Sequence, residues 1–427
     1  MSAVLAFASC AGNGGTSASM QAALPASIGA RADVVQRGNG NDQGQTFMLP
    51  PSSYSPRAGI VRGYDGNMWF GTFAQFGRVT ENGTISLFAQ SGAFPYLSGG
   101  LARGPEGNRN VWYTVEEMNG GAAAVAEVST PSGQTTERAM PEGVETLTGI
   151  AAGPDNAMYA ASYGANLIAR IPAGKGLVTT YPLPGPVPGR PLNIVLGPDY
   201  HSMWFTMAGG GSIGRFDTTT HAITYFPIQT PDAGAIQAFA GSIYFLAGYD
   251  RGNEYVGKMS PTGQLEKIVL PAWNGKVRIE TLCEGPDGNL WVGGFGALWS
   301  ISTNDTVFGP AILPGIVEGP SYLAAGSDGN LWMLNDQPAS ISVYLLHAIT
   351  TSSSSFALTR GQSAPLTVTE SAPMGTIGAK SLRSDVATVS FIAPGSFTVT
   401  GMASGTTTIR VTDSKHNFVD IPVTISL

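Results

Sequence analysis

Chemistry in this chain would have to come from oxygen. Glu280, Asp232 and Glu318 each stand shortly before or at the start of a recurring strand. Carboxylates are hard ligands of the kind that hold Mg²⁺ or Ca²⁺, and Glu280 is also a candidate general base. Arg57, Glu145 and Arg190 occupy comparable positions and complete the set of ligand-contacting or channel-lining candidates. The bland alternative is a set of solvated side chains facing a water-filled channel. With four histidines and two cysteines, nitrogen and sulfur ligands are scarce, which argues against zinc. His201, His221, His347 and His416 read as loop or tail histidines. Gly209–Gly211 lies between strand patterns rather than ahead of a helix, so it is no phosphate cradle. No Gly-x-Ser-x-Gly elbow occurs, and spacing alone assembles no Ser/His/Asp set.

The elements that must position these residues repeat. "GYDGNMWFGTF" begins at Gly63, "GPDNAMYAAS" at Gly153, "GPDYHSMWFTM" at Gly197, "GPDGNLWVGGF" at Gly285 and "GSDGNLWMLND" at Gly326. With Gly104 and a degenerate copy at Gly241, the turn glycines recur every 41 to 49 residues. A period in the forties, with short strands and no helical stripe, indicates propeller blades. Each unit reads as an apolar strand, a Gly-Pro-Asp-Gly turn and a strand carrying Trp or Tyr. A third strand such as "SIGRFD" and an outer strand such as "ITYFPI" follow. Four antiparallel strands form one blade, and the recurrent aromatic wedges between neighbours. "QTFMLPP" from Gln45 reads as an outer strand ahead of the first unit and would complete the last blade, latching a ring of seven. Residues 356–427 alternate apolar and polar with frequent turn signals, a small β-sandwich.

The expected organisation is therefore all-β. A signal remnant at 1–10 and a Gly/Ser/Asn-rich tether at 11–44 precede a seven-bladed propeller of four-stranded blades at 45–349. A Ser/Thr linker at 350–355 and an Ig-like sandwich at 356–427 follow. Charged residues are only 12% and the net charge is −7, without a basic stripe, so nucleic acid is excluded as a partner. "MSAVLAFASCAGNGG" resembles the tail of a bacterial lipoprotein signal, with Cys10 lipidated; a plain secretion signal is the other reading. No basic residue precedes its apolar run. A membrane would then be met only through that anchor. No disulfide is expected between Cys10 and Cys283, and Cys283 in "IETLCEG" reads as a small buried hydrophobe.

The repeated unit, with its "GPDGNLW", "IGR" and "YFPI" elements in order, resembles the streptogramin (virginiamycin B) lyase-like propellers across roughly residues 45–347. The tail, with "SDVATVS" followed by "VTGMASGTTTIRVT", resembles bacterial Ig-like domains of the group 2 type, which serve as surface spacers or adhesive units. The first resemblance implies Mg²⁺-dependent opening of an antibiotic lactone by elimination. It also implies catalytic histidines five residues before the turn glycine, where an imidazole takes the proton. In this chain those slots hold Ala58, Gly99, Thr148, Leu192, Glu280 and Ser321, with Gly234 in the degenerate unit. None is histidine, and Glu280 alone is ionisable. The reading that follows is an exported, monomeric surface protein whose propeller face binds a small molecule, glycan or protein without catalysis. The alternative is a lyase or hydrolase at the channel mouth with Glu280 as base and Mg²⁺ or Ca²⁺ held by Asp232, Glu280 and Glu318.

Overall fold

A computed structural model describes residues 28–31, 45–50, 56–73, 75–89, 96–116, 122–130, 132–185, 189–248, 254–346, 349–370, 376–413 and 418–427. Cys10, His347 and His416 lie outside these residues. Among the described residues up to 346, seven antiparallel sheets follow one another. Blade four shows the pattern plainly: Arg190–Leu196, Ser202–Ala208, Ser212–Asp217 and Ile223–Pro227 pair in order from the inside outward. The first strands of successive blades touch one another, and that of blade seven, Tyr322–Ala325, returns to that of blade one, Pro56–Arg62. The ring is therefore closed, with the first strands around its axis. Gln45–Met48 pairs with Ser340–Tyr344 and supplies the outer strand of the last blade, as the sequence leads one to expect.

The recurring motif has a physical cause. In blade one the carboxylate of Asp65 accepts from the Trp69 indole N–H at 3.1 Å; Asp287 and Trp291 repeat this at 3.0 Å, and Asp328 and Trp332 at 3.1 Å. The turn glycine is required by this lock, because a Cβ on Gly63 would come within 2.5 Å of the Trp69 ring. A third-strand cation pairs with the turn carboxylate as well: Arg215 of "IGR" with Asp199 at 2.9 Å and Arg170 of "IAR" with Asp155 at 2.5 Å. The locked aromatics are buried, and each apolar cluster of the propeller lies between two consecutive blades. Phe76 of blade one stacks on Tyr113 of blade two at 4.8 Å between centroids. A single blade cannot cover both its faces, so burial itself drives closure.

Two boundaries differ from expectation. Ile28–Arg31, inside the expected tether, pairs with Thr84–Ala89 and gives blade one a fifth strand. Ile349–Thr351 overlaps the expected linker but pairs with Ser363–Glu370, so the sandwich begins there. Its other sheet places Phe356–Thr359 parallel to Phe418–Ser426, and the two sheets enclose a core including Leu366, Val399, Ile409 and Ile421. Backbone pairing of a Ser/Thr run overrides its linker-like composition.

Candidate functional site

Chain direction fixes which residues share a face. The connections between blades and the turns between second and third strands lie at the end of the propeller where the first strands begin. The first-to-second and third-to-fourth turns lie at the other end. The seven slots form a ring on the former face. The Thr148 hydroxyl donates to the Leu192 carbonyl at 2.7 Å, the Asn193 amide to the Gly234 carbonyl at 3.2 Å, and the Ser321 hydroxyl to Glu280 Oε2 at 3.4 Å. The first and last of these bonds join neighbouring slots across blade boundaries, and the second reaches the Gly234 slot from the residue after Leu192. His201 and His221 sit in turns at the opposite end, and both are exposed.

Most expected site residues turn out to be loop fasteners. Arg190 donates from Nη1 to the carbonyls of Tyr163 and Gly164, both at 2.8 Å, and its guanidinium lies 5.5 Å from the Tyr163 ring centroid. Asp232 accepts from the Gly209 N–H at 2.7 Å. Glu145 is exposed, and its carbonyl accepts from the Ser162 hydroxyl at 2.5 Å. Glu318 is exposed and bridges Gln337 through its backbone. Arg57 lies on the first strand of blade one. Among the described residues no three His, Cys, Asp or Glu side chains gather to hold a metal ion. The expected set of Asp232, Glu280 and Glu318 is thus not assembled, because Asp232 is engaged by backbone and Glu318 faces solvent.

Glu280 is different. It is partly buried, and burial pushes its carboxyl above the usual carboxylate range. The Asp336 charge and, more weakly, Glu254 push the same way, while the Ser321 hydrogen bond and Arg278 oppose them. Glu254 is raised chiefly by burial too, against a hydrogen bond from the Ile279 N–H and the Arg278 charge. The acidic neighbours of Glu280 are therefore Asp336 and Glu254 rather than Asp232 and Glu318. Sequence spacing did not identify them, because they come from a neighbouring blade on either side. Cys283, close behind, is buried in the apolar cluster between blades six and seven, and burial raises its thiol pKa.

Beside this ring, on the same face, blade six carries a pocket of about 200 Å³. Trp273, Lys276, Arg278, Phe295, Trp299 and Val317 are among the residues that line it. Two tight turns build it. Trp273 and Lys276 exchange backbone hydrogen bonds of 2.8 and 3.0 Å across Asn274 and Gly275, whose φ values are 50° and 74°. Both central residues are left-handed, as in a type I′ turn, so "WNGK" holds an indole and an ammonium on adjacent stems. Phe295 and Gly296, at φ 45° and 78°, form the second turn. The Arg278 guanidinium lies 3.4 Å from the Phe295 ring centroid, and the buried Trp299 indole donates to the Pro271 carbonyl at 3.0 Å.

Comparison with known proteins follows the same division of the chain. Residues 28–247 match the model of the virginiamycin B lyase family, and residues 346–421 that of the bacterial Ig-like domain (group 2). Among curated proteins no relative matches. A solved streptogramin B lyase is 21% identical with a TM-score of 0.59, covering 70% of this chain and 96% of its own. A catalytically inactive histidine-to-alanine virginiamycin B lyase from Staphylococcus aureus, solved with quinupristin, gives 21% and 0.60 over 71% of this chain and 99% of its own. Hydrazine synthase of Kuenenia stuttgartiensis gives 14% and 0.56 over 69% and 96%. Likeness at these identities establishes the propeller fold alone.

Proposed function

The chain belongs to the virginiamycin B lyase family, and from that premise we propose that it is a binding member of the family rather than a lyase. The observation that carries this reading is the content of the seven axial slots. Ala58, Gly99, Leu192 and Gly234 have no side chain able to take a proton, and Thr148 and Ser321 are spent on hydrogen bonds to neighbouring slots. Removing the proton that begins an elimination needs a base near neutral pKa, a task suited to imidazole. The comparison enzyme in which one histidine is replaced by alanine is inactive, which supports giving weight to the missing imidazoles. The Ig-like module and the lipoprotein-like segment at Cys10 support an exported surface protein in which the sandwich spaces or attaches the propeller.

The lyase reading has one observation in its favour. A carboxylate raised by burial at Glu280, in a slot of the ring, is a stronger base than an ordinary one. Incubating the full chain with quinupristin and Mg²⁺, and following ring opening by chromatography, separates the two. The binding reading expects no opening beyond that in buffer. Opening that disappears in Glu280→Gln would establish the alternative.

A further inference from the structure

We propose that the blade-six pocket is a binding site for an acidic sugar, a pyranose ring bearing a carboxylate. This rests on the reading of the propeller as a binding scaffold and names the ligand class for one part of its face. Three features of the pocket point the same way. Three aromatic side chains contribute to its lining, Trp273 and Phe295 partly exposed and Trp299 buried, around a volume suited to one ring. C–H faces of a sugar and flat apolar rings alike pack on such walls, and a few placed polar groups then fix orientation.

Second, the charged groups of the lining, Lys276 and Arg278, are both cations in a chain of net charge −7. Neither forms a salt bridge among the described residues. Glu254 and Glu280 lie near enough for the Arg278 charge to act on them, yet Arg278 is stacked on Phe295. Stacking occupies a guanidinium face and leaves its N–H edge for a carboxylate, which it can engage with two parallel hydrogen bonds.

Third, the backbone is held in a form that local preference does not explain. A phenylalanine at φ 45° occupies a turn position that favours Asn, Asp or Gly. The corresponding turn of blade four uses glycines, with Gly209 at φ 70° and Gly211 at φ 55°. Such conformations recur in this chain's turns, Tyr200 at φ 56° among them, and here the turn fixes an aromatic side chain in the lining of the pocket. The rigid "WNGK" turn opposite adds preorganisation, which lowers the ordering cost of binding.

The same chemistry is carried by a free sugar acid and by the residues of an acidic polysaccharide. Titration of the full chain with D-galacturonate, a galacturonate trimer, D-galactose and benzoate, read by calorimetry, tests the inference and separates these sources. Galacturonate is expected to bind at least about tenfold tighter than galactose, reflecting one charge-assisted contact. Lys276→Glu and Arg278→Glu should each remove about tenfold or more of that affinity, and Lys276→Glu should do so without shifting the thermal transition, because its side chain is exposed. A tighter trimer assigns the pocket to polysaccharide, and an equal or weaker one assigns it to the free acid. Equal binding of galactose and galacturonate, tighter binding of benzoate than of both galacturonate forms, or unchanged affinity in both charge reversals would overturn it. Absence of binding to all four probes would overturn it as well, while leaving the quinupristin result to judge the scaffold reading by itself.

Discussion

A carboxylate placed among other carboxylates and partly removed from water resists ionisation. At Glu280 burial dominates, with Asp336 and Glu254 adding to it. The sign of the consequence follows from linkage. The folded pKa lies above the ordinary value of 4.5, so the folded state binds more protons than the unfolded chain over that interval. Stability attributable to this group therefore falls as pH rises from the ordinary value through the raised one. Glu280→Gln keeps the size of the side chain and removes the charge. It is expected to raise the melting temperature at about pH 7.5 and to have little effect near about pH 4, where the wild-type group is protonated. Thermal melts of both proteins at the two pH values check this, and a variant less stable than wild type at the higher pH would contradict it.

Within a blade, large and small residues answer each other across the second and third strands. Phe70 faces Gly77, Phe205 faces Gly214 and Phe245 faces Gly257, so the third-strand glycine of "FGR", "IGR" and "VGK" is the floor beneath an aromatic ring. Blade two answers Tyr113 with Ala126, and blade six reverses the pair, with Val292 opposite Trp299. A methyl group on Gly214 would stand 2.1 Å from Phe205 Cζ, in a wholly buried site. Gly214→Ala should destabilise by about 1–3 kcal/mol, the usual cost of overpacking a tight core. Adding Phe205→Leu should recover part of it, a non-additivity that a double-mutant cycle in urea would measure. The repeat made the blades and their aromatic strand legible, because turn and strand signals recur locally. It hid the blade-six pocket for the same reason. Phe295 and Trp273 read as ordinary aromatics of a β protein, and only the fold brings their two turns together. Glu280 was legible by its count from the turn glycine, whereas its partners Glu254 and Asp336 depend on contacts between blades.

For the molecule as a whole, closure is the step that local pattern cannot complete by itself. Seven interfaces are buried only when the last blade meets the first, and the outer strand of that last blade is donated by Gln45–Met48. Phe47 is the side chain that makes this strand hold. It is 1% exposed, stacks on Trp332 at 6.1 Å between centroids, and shares the cluster between blades seven and one with Met68, Phe70 and Ile341. Phe47→Ala removes most of that contact and is expected to cost about 3–5 kcal/mol. The loss should be distributed unevenly, because blades contact only their neighbours and a weakened interface opens locally before the ring unfolds. Amide exchange in the variant should quicken first at Gln45–Met48 and Ser340–Tyr344, while Ser202–Ala208 of blade four keeps its protection. Uniform acceleration around the ring would instead mean that the propeller opens as one cooperative unit and that the strand at Gln45 is not its latch.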